Sequence, residues 1–151
     1  MRLALYQPDI PQNAGAMIRL AACLGVGLDV IEPCGFTFTD RQLKRAAMDY
    51  APLADVRRHA AWESFRQAPE GRLVLLTTAG RMAYTEAAYA ADDVLLVGRE
   101  SAGVPAAVHA AADLAVRVPM REGARSLNVA LAAGLVLGEA LRQTGGFENL
   151  V

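Results

Sequence analysis

An α/β fold with a mainly parallel sheet flanked by helices is predicted, on three observations. Strand and helix signals alternate from one end of the chain to the other, as they do when parallel strands are joined by helical crossovers. Val94-Leu95-Leu96-Val97 is apolar without alternation, which suits a strand buried on both faces. The apolar runs break abruptly into glycine, proline or a lone polar residue, the composition of a βα turn.

Taken in order, Arg2–Tyr6 reads as a strand that stops before Pro8 and Pro11. Asn13 can cap a helix running to Leu24, with Gly25 as its terminator. Leu28–Ile31 is a second strand, and Pro33-Cys34-Gly35 opens a loop. Thr39 or Asp40 caps a short basic helix, Arg41–Ala47. Ala54–Arg57 reads as a short strand and Ala60–Gln67 as a helix. Arg72–Leu76 is an apolar strand running into Thr77-Thr78-Ala79-Gly80. After Val94–Val97, a helix runs from Pro105, a favourable first position, to Ala111. Leu114–Val118 is the last strand. Ser126 begins the longest helix, Leu127–Gln143, which Gly145-Gly146 ends.

The 151 residues fit one domain, residues 1–151 without an appended module. A hydrophobic content of 54% excludes a disordered tail. The formal charge of -1 implies no wholesale attraction to nucleic acid. Lys44 is the only lysine, and the other basic residues are arginines. That skew suits bidentate phosphate contacts, and equally reflects an Arg/Ala-rich coding bias. Cys23 and Cys34 stand in no motif, as expected of a reducing compartment without disulfides. His59 and His109 are far apart, so no metal site is expected. The opening apolar run is too short for a signal peptide. Leu127–Leu141 is too short, and carries Asn128 and Glu139, for a membrane span. A soluble cytoplasmic protein is expected.

Three strand ends have the make-up of one ligand site: Leu76–Gly80, Gly98–Gly103 and Val118–Ser126. Ligands of open α/β sheets bind outside the carboxyl ends of the strands. Gly98 permits a close backbone approach, and Glu100 places one carboxylate there. No dinucleotide fingerprint or phosphate-binding GK[ST] occurs, which disfavours nicotinamide and nucleoside-triphosphate readings. Arg19 stands among Met17, Ile18, Leu20 and Ala21 on the first helix, where it must reach solvent or an anion. Arg121 and Arg125 flank a glycine-containing loop. Ser126 and Asn128 lie where that loop becomes a helix, a place that favours anionic or polar ligands. Ala130, Ala133, Gly134 and Gly138 give that helix a small-residue surface, fit for the core or for a subunit interface.

In their order and spacing, LYQPDIPQNAGAMIRLAACLG, IEPCGF, LLTTAG, LLVGRESAGVP and RVPMREGARSLNVALAAG resemble the SPOUT superfamily of RNA methyltransferases. Within it the chain resembles, along essentially its whole length, the small tRNA wobble-position ribose 2'-O-methyltransferases. The resemblance implies a SPOUT fold with a C-terminal trefoil knot, S-adenosyl-L-methionine as cofactor, tRNA as substrate, and a homodimer whose sites are completed across the interface. It implies cofactor contacts at Leu76, Gly98, Val118 and Ser126, with Thr77 and Leu127 nearby. Asn13, Arg19, Glu100 and Asn128 fall on the family's methyl-transfer motif positions. The family proposal makes Arg19 the proton acceptor. A guanidinium is ordinarily a donor only, so Arg19 equally holds a phosphate and lowers the hydroxyl pKa. Arg41, Lys44, Arg45, Tyr50, Arg121 and Arg125 are candidates for RNA contact, the first three otherwise a solvated helix face and Tyr50 otherwise a packing residue. The rivals are a related enzyme acting elsewhere on tRNA or on ribosomal RNA, a non-catalytic RNA-binding or assembly protein of the same fold, and a flavodoxin-like redox protein.

Overall fold

The computed structural model describes residues 1–37, 48–67, 71–148 and 150–151. The expected basic helix Arg41–Ala47, with Arg41, Lys44 and Arg45, lies outside them. The strands are β1 (Arg2–Tyr6), β2 (Gly27–Ile31), β3 (Val56–His59), β4 (Leu73–Leu76), β5 (Met82–Ala83), β6 (Val94–Val97) and β7 (Leu114–Arg117). The helices are α1 (Pro11–Cys23), α2 (Trp62–Arg66), α3 (Ala106–Ala110) and α4 (Val129–Thr144), with a 3-10 turn at Met48–Leu53.

Among the described residues the seven strands are all parallel, in the order β3-β2-β1-β6-β4-β7-β5. From β1 the chain winds outward through β2 and β3. It then crosses to the other side, and β6 inserts between β1 and β4, with Leu3 opposite Leu95 and Leu75 opposite Leu96. The winding direction therefore reverses between β1 and β6. Such a switch point opens a crevice at the carboxyl ends of the two strands.

Because side chains alternate along a strand, the sheet carries an apolar layer on each face. One holds Leu3, Leu5, Leu28, Val30, Leu95 and Val97 under Met17, Ile18 and Ala21 of α1 and Val136, Leu137 and Ala140 of α4. The other holds Ala4, Tyr6, Ile31, Leu73, Leu75 and Leu96 under Phe65 of α2 and Val108 of α3. Leu96 has no exposed surface, and deleting such a side chain costs about 2–5 kcal/mol. One buried charge interrupts the second layer. Asp29 on β2 accepts from Arg2 Nε at 2.5 Å and lies 2.7 Å from His59 Nε2. Arg2 also donates to Asp55 at 2.6 Å, so the network pins β1, β2 and β3 together.

Several element ends differ from expectation. Helix α1 begins at Pro11, with Ile10 rather than Asn13 as its N-cap. Proline lacks the N–H that a first-turn residue leaves unpaired, and this places Asn13 inside the first turn with its side chain released from capping. Helix α4 begins at Val129, not Leu127. Its N-cap is Asn128, whose Oδ1 accepts from the amides of Ala130 and Leu131 at 2.9 and 3.3 Å, while Ser126 stays in the loop. Pro105 is the N-cap of α3 and not its first residue. The two-residue strand β5 and the 3-10 turn are too short to leave a periodic signal. No helix among the described residues is long and apolar enough to cross a membrane.

Candidate active site

The carboxyl ends of β4, β6 and β7 and the start of α4 surround a cavity of about 430 Å³, within the range of small-molecule sites. Its apolar wall includes Leu75, Leu76, Val104, Val118 and Leu127. Its polar wall includes Asn13, Thr77, Arg99, Glu100, Ser126 and Asn128. Backbone makes much of the enclosure. The Thr77 amide donates to the Val116 carbonyl at 2.9 Å, which holds the β4 exit against β7. The segment from Gly98 to Gly103 closes on itself, as Arg99 and Gly103 exchange amide-to-carbonyl bonds of 2.9 and 2.8 Å. A Cβ on Gly98 would stand 2.6 Å from the Gly103 carbonyl carbon, so only glycine admits this turn.

A polar chain runs along the cavity wall. Asn128 Nδ2 donates to Asn13 Oδ1 at 2.8 Å, and Asn13 Nδ2 donates to Glu100 Oε1 at 3.0 Å. The other oxygen of Glu100 accepts from the Asp9 amide at 3.0 Å. Asp9 returns the contact: its Oδ1 accepts from the Glu100 amide at 3.1 Å, and its Oδ2 accepts from the Ser101 hydroxyl. The segment after β1, the first turn of α1, the turn after β6 and the cap of α4 are thereby tied into one unit. The carboxyl of Asp9 is held down at about 2, first by its hydrogen bonding to Glu100 and then by the Ser101 hydroxyl. Asn128 bonds on both sides, capping α4 with its oxygen and orienting Asn13 with its amide.

Of the residues singled out from sequence, Asn13, Glu100, Asn128, Leu76, Thr77, Gly98, Val118, Ser126 and Leu127 all line this one cavity. Arg19 does not. Six positions separate it from Asn13, about 9 Å along the helix and on another face. It is exposed, and its guanidinium lies 4.9 Å above the Tyr50 ring. One face of the Tyr50 ring is thus covered by a cation. Arg121 and Arg125 are exposed on the loop between β7 and α4 and border the cavity without lining it. Two site residues were missed. Asp9 follows β1 closely, and a carboxylate just past a strand end was a usable signal. Arg99 directly precedes Glu100, and a single arginine in a turn carries no local signal of burial. No group of three or more potential metal ligands occurs among the described residues.

Comparison with known proteins extends this picture. The model of the SpoU rRNA Methylase family matches residues 1–138. A tRNA (cytidine(34)-2'-O)-methyltransferase of Ancylobacter novellus is 56% identical over 150 residues, covering 97% of this chain and 95% of the relative. A solved structure described as giving insight into the 2-OH methylation of C/U34 on tRNA superposes with a TM-score of 0.89 at 42% identity, over 94% of each chain. An AdoMet-bound rRNA methyltransferase from Sinorhizobium meliloti superposes with a TM-score of 0.82 at 32% identity, over 93% of this chain and 55% of its own. The chain belongs to the SpoU rRNA methylase family.

Proposed function

We propose that the protein transfers a methyl group from S-adenosyl-L-methionine to the ribose 2'-hydroxyl of the wobble pyrimidine of tRNA. One observation carries the reading: the hydrogen-bonded chain Asn128–Asn13–Glu100 lines a cavity walled by three strand-end loops. The similarity to tRNA cytidine-34 2'-O-methyltransferases supports the choice of substrate.

The cavity fits the cofactor class. Backbone bonds fix the strand-end loops around it, and Leu76, Val118 and Leu127 supply apolar surface suited to a purine-sized ring. Thr77 and Ser126, which also line the cavity, offer hydroxyl donors. Bound there, the cofactor supplies an electrophilic methyl on a cationic sulfur. The protein's part is alignment and proton handling. Asn13 and Asn128 hold the ribose edge, and Glu100 fixes Asn13 from behind. Arg19 holds a phosphate beside the hydroxyl and lowers its pKa, so that the proton leaves to water; a guanidinium is too weak an acid to serve readily as acceptor. Arg121, Arg125 and the basic segment with Arg41, Lys44 and Arg45 contribute phosphate contacts. The trefoil threading of the C-terminal part belongs to the same reading.

Because Arg19 stands outside its own chain's cavity, the reading includes a homodimer in which Arg19 serves the other subunit's pocket. Leu131 and Leu135 share one face of α4 and remain exposed, Leu131 by 64%, and Leu127, just before the helix, is exposed as well. Ile10 is likewise exposed and lines the cavity together with Leu127. An apolar stripe of this kind next to a site marks an interaction surface.

The test is incubation of the purified protein with labelled S-adenosyl-L-methionine and tRNA, followed by nucleoside mapping. Label in a 2'-O-methylated pyrimidine at position 34 is expected. Label at another nucleotide overturns the substrate assignment, and absence of both label and cofactor binding overturns the activity.

A further inference from the structure

Arg99 has an unusual situation. It lines the cavity next to Glu100, and its Nε is buried with no hydrogen-bond partner among the described residues. The nearest acid is Asp9, whose Oδ2 lies 3.8 Å from that Nε. This is an ion-pair distance and not a hydrogen bond. Asp9 cannot easily come closer, because Oδ1 is committed to the Glu100 amide and Oδ2 to the Ser101 hydroxyl. Gln7 Oε1 accepts from a terminal nitrogen of Arg99 only at 3.5 Å. The guanidinium, about a third exposed at 36%, is therefore held by charge while most of its five donors stay unused.

A buried donor without an acceptor is costly, and one beside a cavity calls for a ligand atom. A planar fork with free donors matches an oxyanion, above all a phosphate. The acids around it do not forbid this. Asp9 is anchored by two donors, and Glu100 directs its oxygens to Asn13 and the Asp9 amide. Asp9 therefore holds the guanidinium by charge at 3.8 Å, with some competition against an incoming anion.

We infer that Arg99 is a substrate-binding residue which grips a backbone phosphate of the RNA next to the nucleotide being methylated, with Asp9 as the residue that aims it. The inference rests on the reading of the cavity as a methyl-transfer site on RNA. The carboxylate of S-adenosyl-L-methionine is the other oxyanion of this chemistry, and the 36% exposure of the side chain favours the phosphate.

The experiment compares wild-type protein with Arg99→Ala and Arg99→Lys. Filter binding of tRNA across a salt series is measured alongside steady-state methyl transfer, and calorimetry measures S-adenosyl-L-methionine affinity. Arg99→Ala is expected to weaken tRNA binding about tenfold or more, the scale of one charge-assisted contact. It is expected to reduce the slope of log K against log salt by about 0.7, with cofactor affinity within about twofold of wild type. Arg99→Lys is expected to restore the slope but not the full affinity, since it keeps the charge and loses the fork. Unchanged tRNA affinity and slope in Arg99→Ala overturn the inference. So does weakened cofactor binding at an unchanged slope, which gives the guanidinium to the carboxylate. Failure of the wild-type protein to methylate tRNA strikes the activity reading, whereas the binding series still decides the role of Arg99.

Discussion

Two polar networks sit on the same sheet and are built for different ends. The Arg2–Asp29–His59–Asp55 network joins β1, β2 and β3, and the buried carboxylate of Asp29 meets a guanidinium at 2.5 Å and an imidazole at 2.7 Å. The Asp9–Glu100–Asn13–Asn128 network joins loops and helix starts at the carboxyl ends of β1 and β6, and beside it stand an open cavity and an arginine with a buried, unpartnered nitrogen. In the first, the buried groups satisfy one another. In the second, the acids position donors without using them up. The lesson is that a polar cluster points to function by the capacity it leaves open, not by its charge.

That contrast can be broken first at Asp29. Asp29→Ala leaves Arg2 and His59 without their shared carboxylate and is expected to cost about 3–5 kcal/mol of stability. Thermal and urea unfolding measure it. Cofactor affinity below the melting transition should remain at wild-type level, and a cofactor site lost at full stability would erase the distinction between the networks.

Glu100→Ala should show the opposite signature. Turnover is expected to fall about a hundredfold, the scale of removing one preorganised polar group from an active site, because Asn13 loses the acceptor that orients it. Stability should change far less than for Asp29→Ala. A single-turnover assay and a melting curve on the same preparation decide the point.

Asn128→Ala sits between the two. Loss of the helix cap is expected to cost about 1 kcal/mol, and release of Asn13 is expected to lower turnover about tenfold. Asn128→Ser retains a capping oxygen but cannot reproduce the amide donated to Asn13, so it should recover the stability and not the rate.

The smallest effect concerns pH. The folded Asp9 carboxyl titrates at about 2, below its ordinary 3.8. It therefore contributes stability that is present above the ordinary value and is lost as pH falls through about 2. The melting temperature of the wild type should drop more steeply between pH 4 and pH 2 than that of Asp9→Asn. Parallel curves would remove Asp9 from the account of how the site is held.

The α/β class, the parallel sheet and most of its strands were legible from the chain alone. Unbroken apolar runs such as Val94–Val97 and abrupt breaks into glycine or proline are local signals, and burial on both faces leaves a strand little other composition. The strand ends bordering the cavity were legible for a related reason, since ligands of parallel sheets bind outside the carboxyl ends of the strands, whereas its individual residues were given by the family resemblance. What one position does with its side chain was decided only in three dimensions. Asn13 is a relay and not a cap because Pro11 takes the start of the helix and Glu100 arrives from a strand distant in sequence. Arg19, a neighbour of Asn13 in sequence, turns away because a helix carries it to another face, onto Tyr50. The insertion of β6 between β1 and β4 brought Arg99 to Asp9, and no local pattern encodes that encounter. Hydrophobic periodicity depends on near neighbours in the chain, whereas hydrogen-bond partners depend on which strands end side by side.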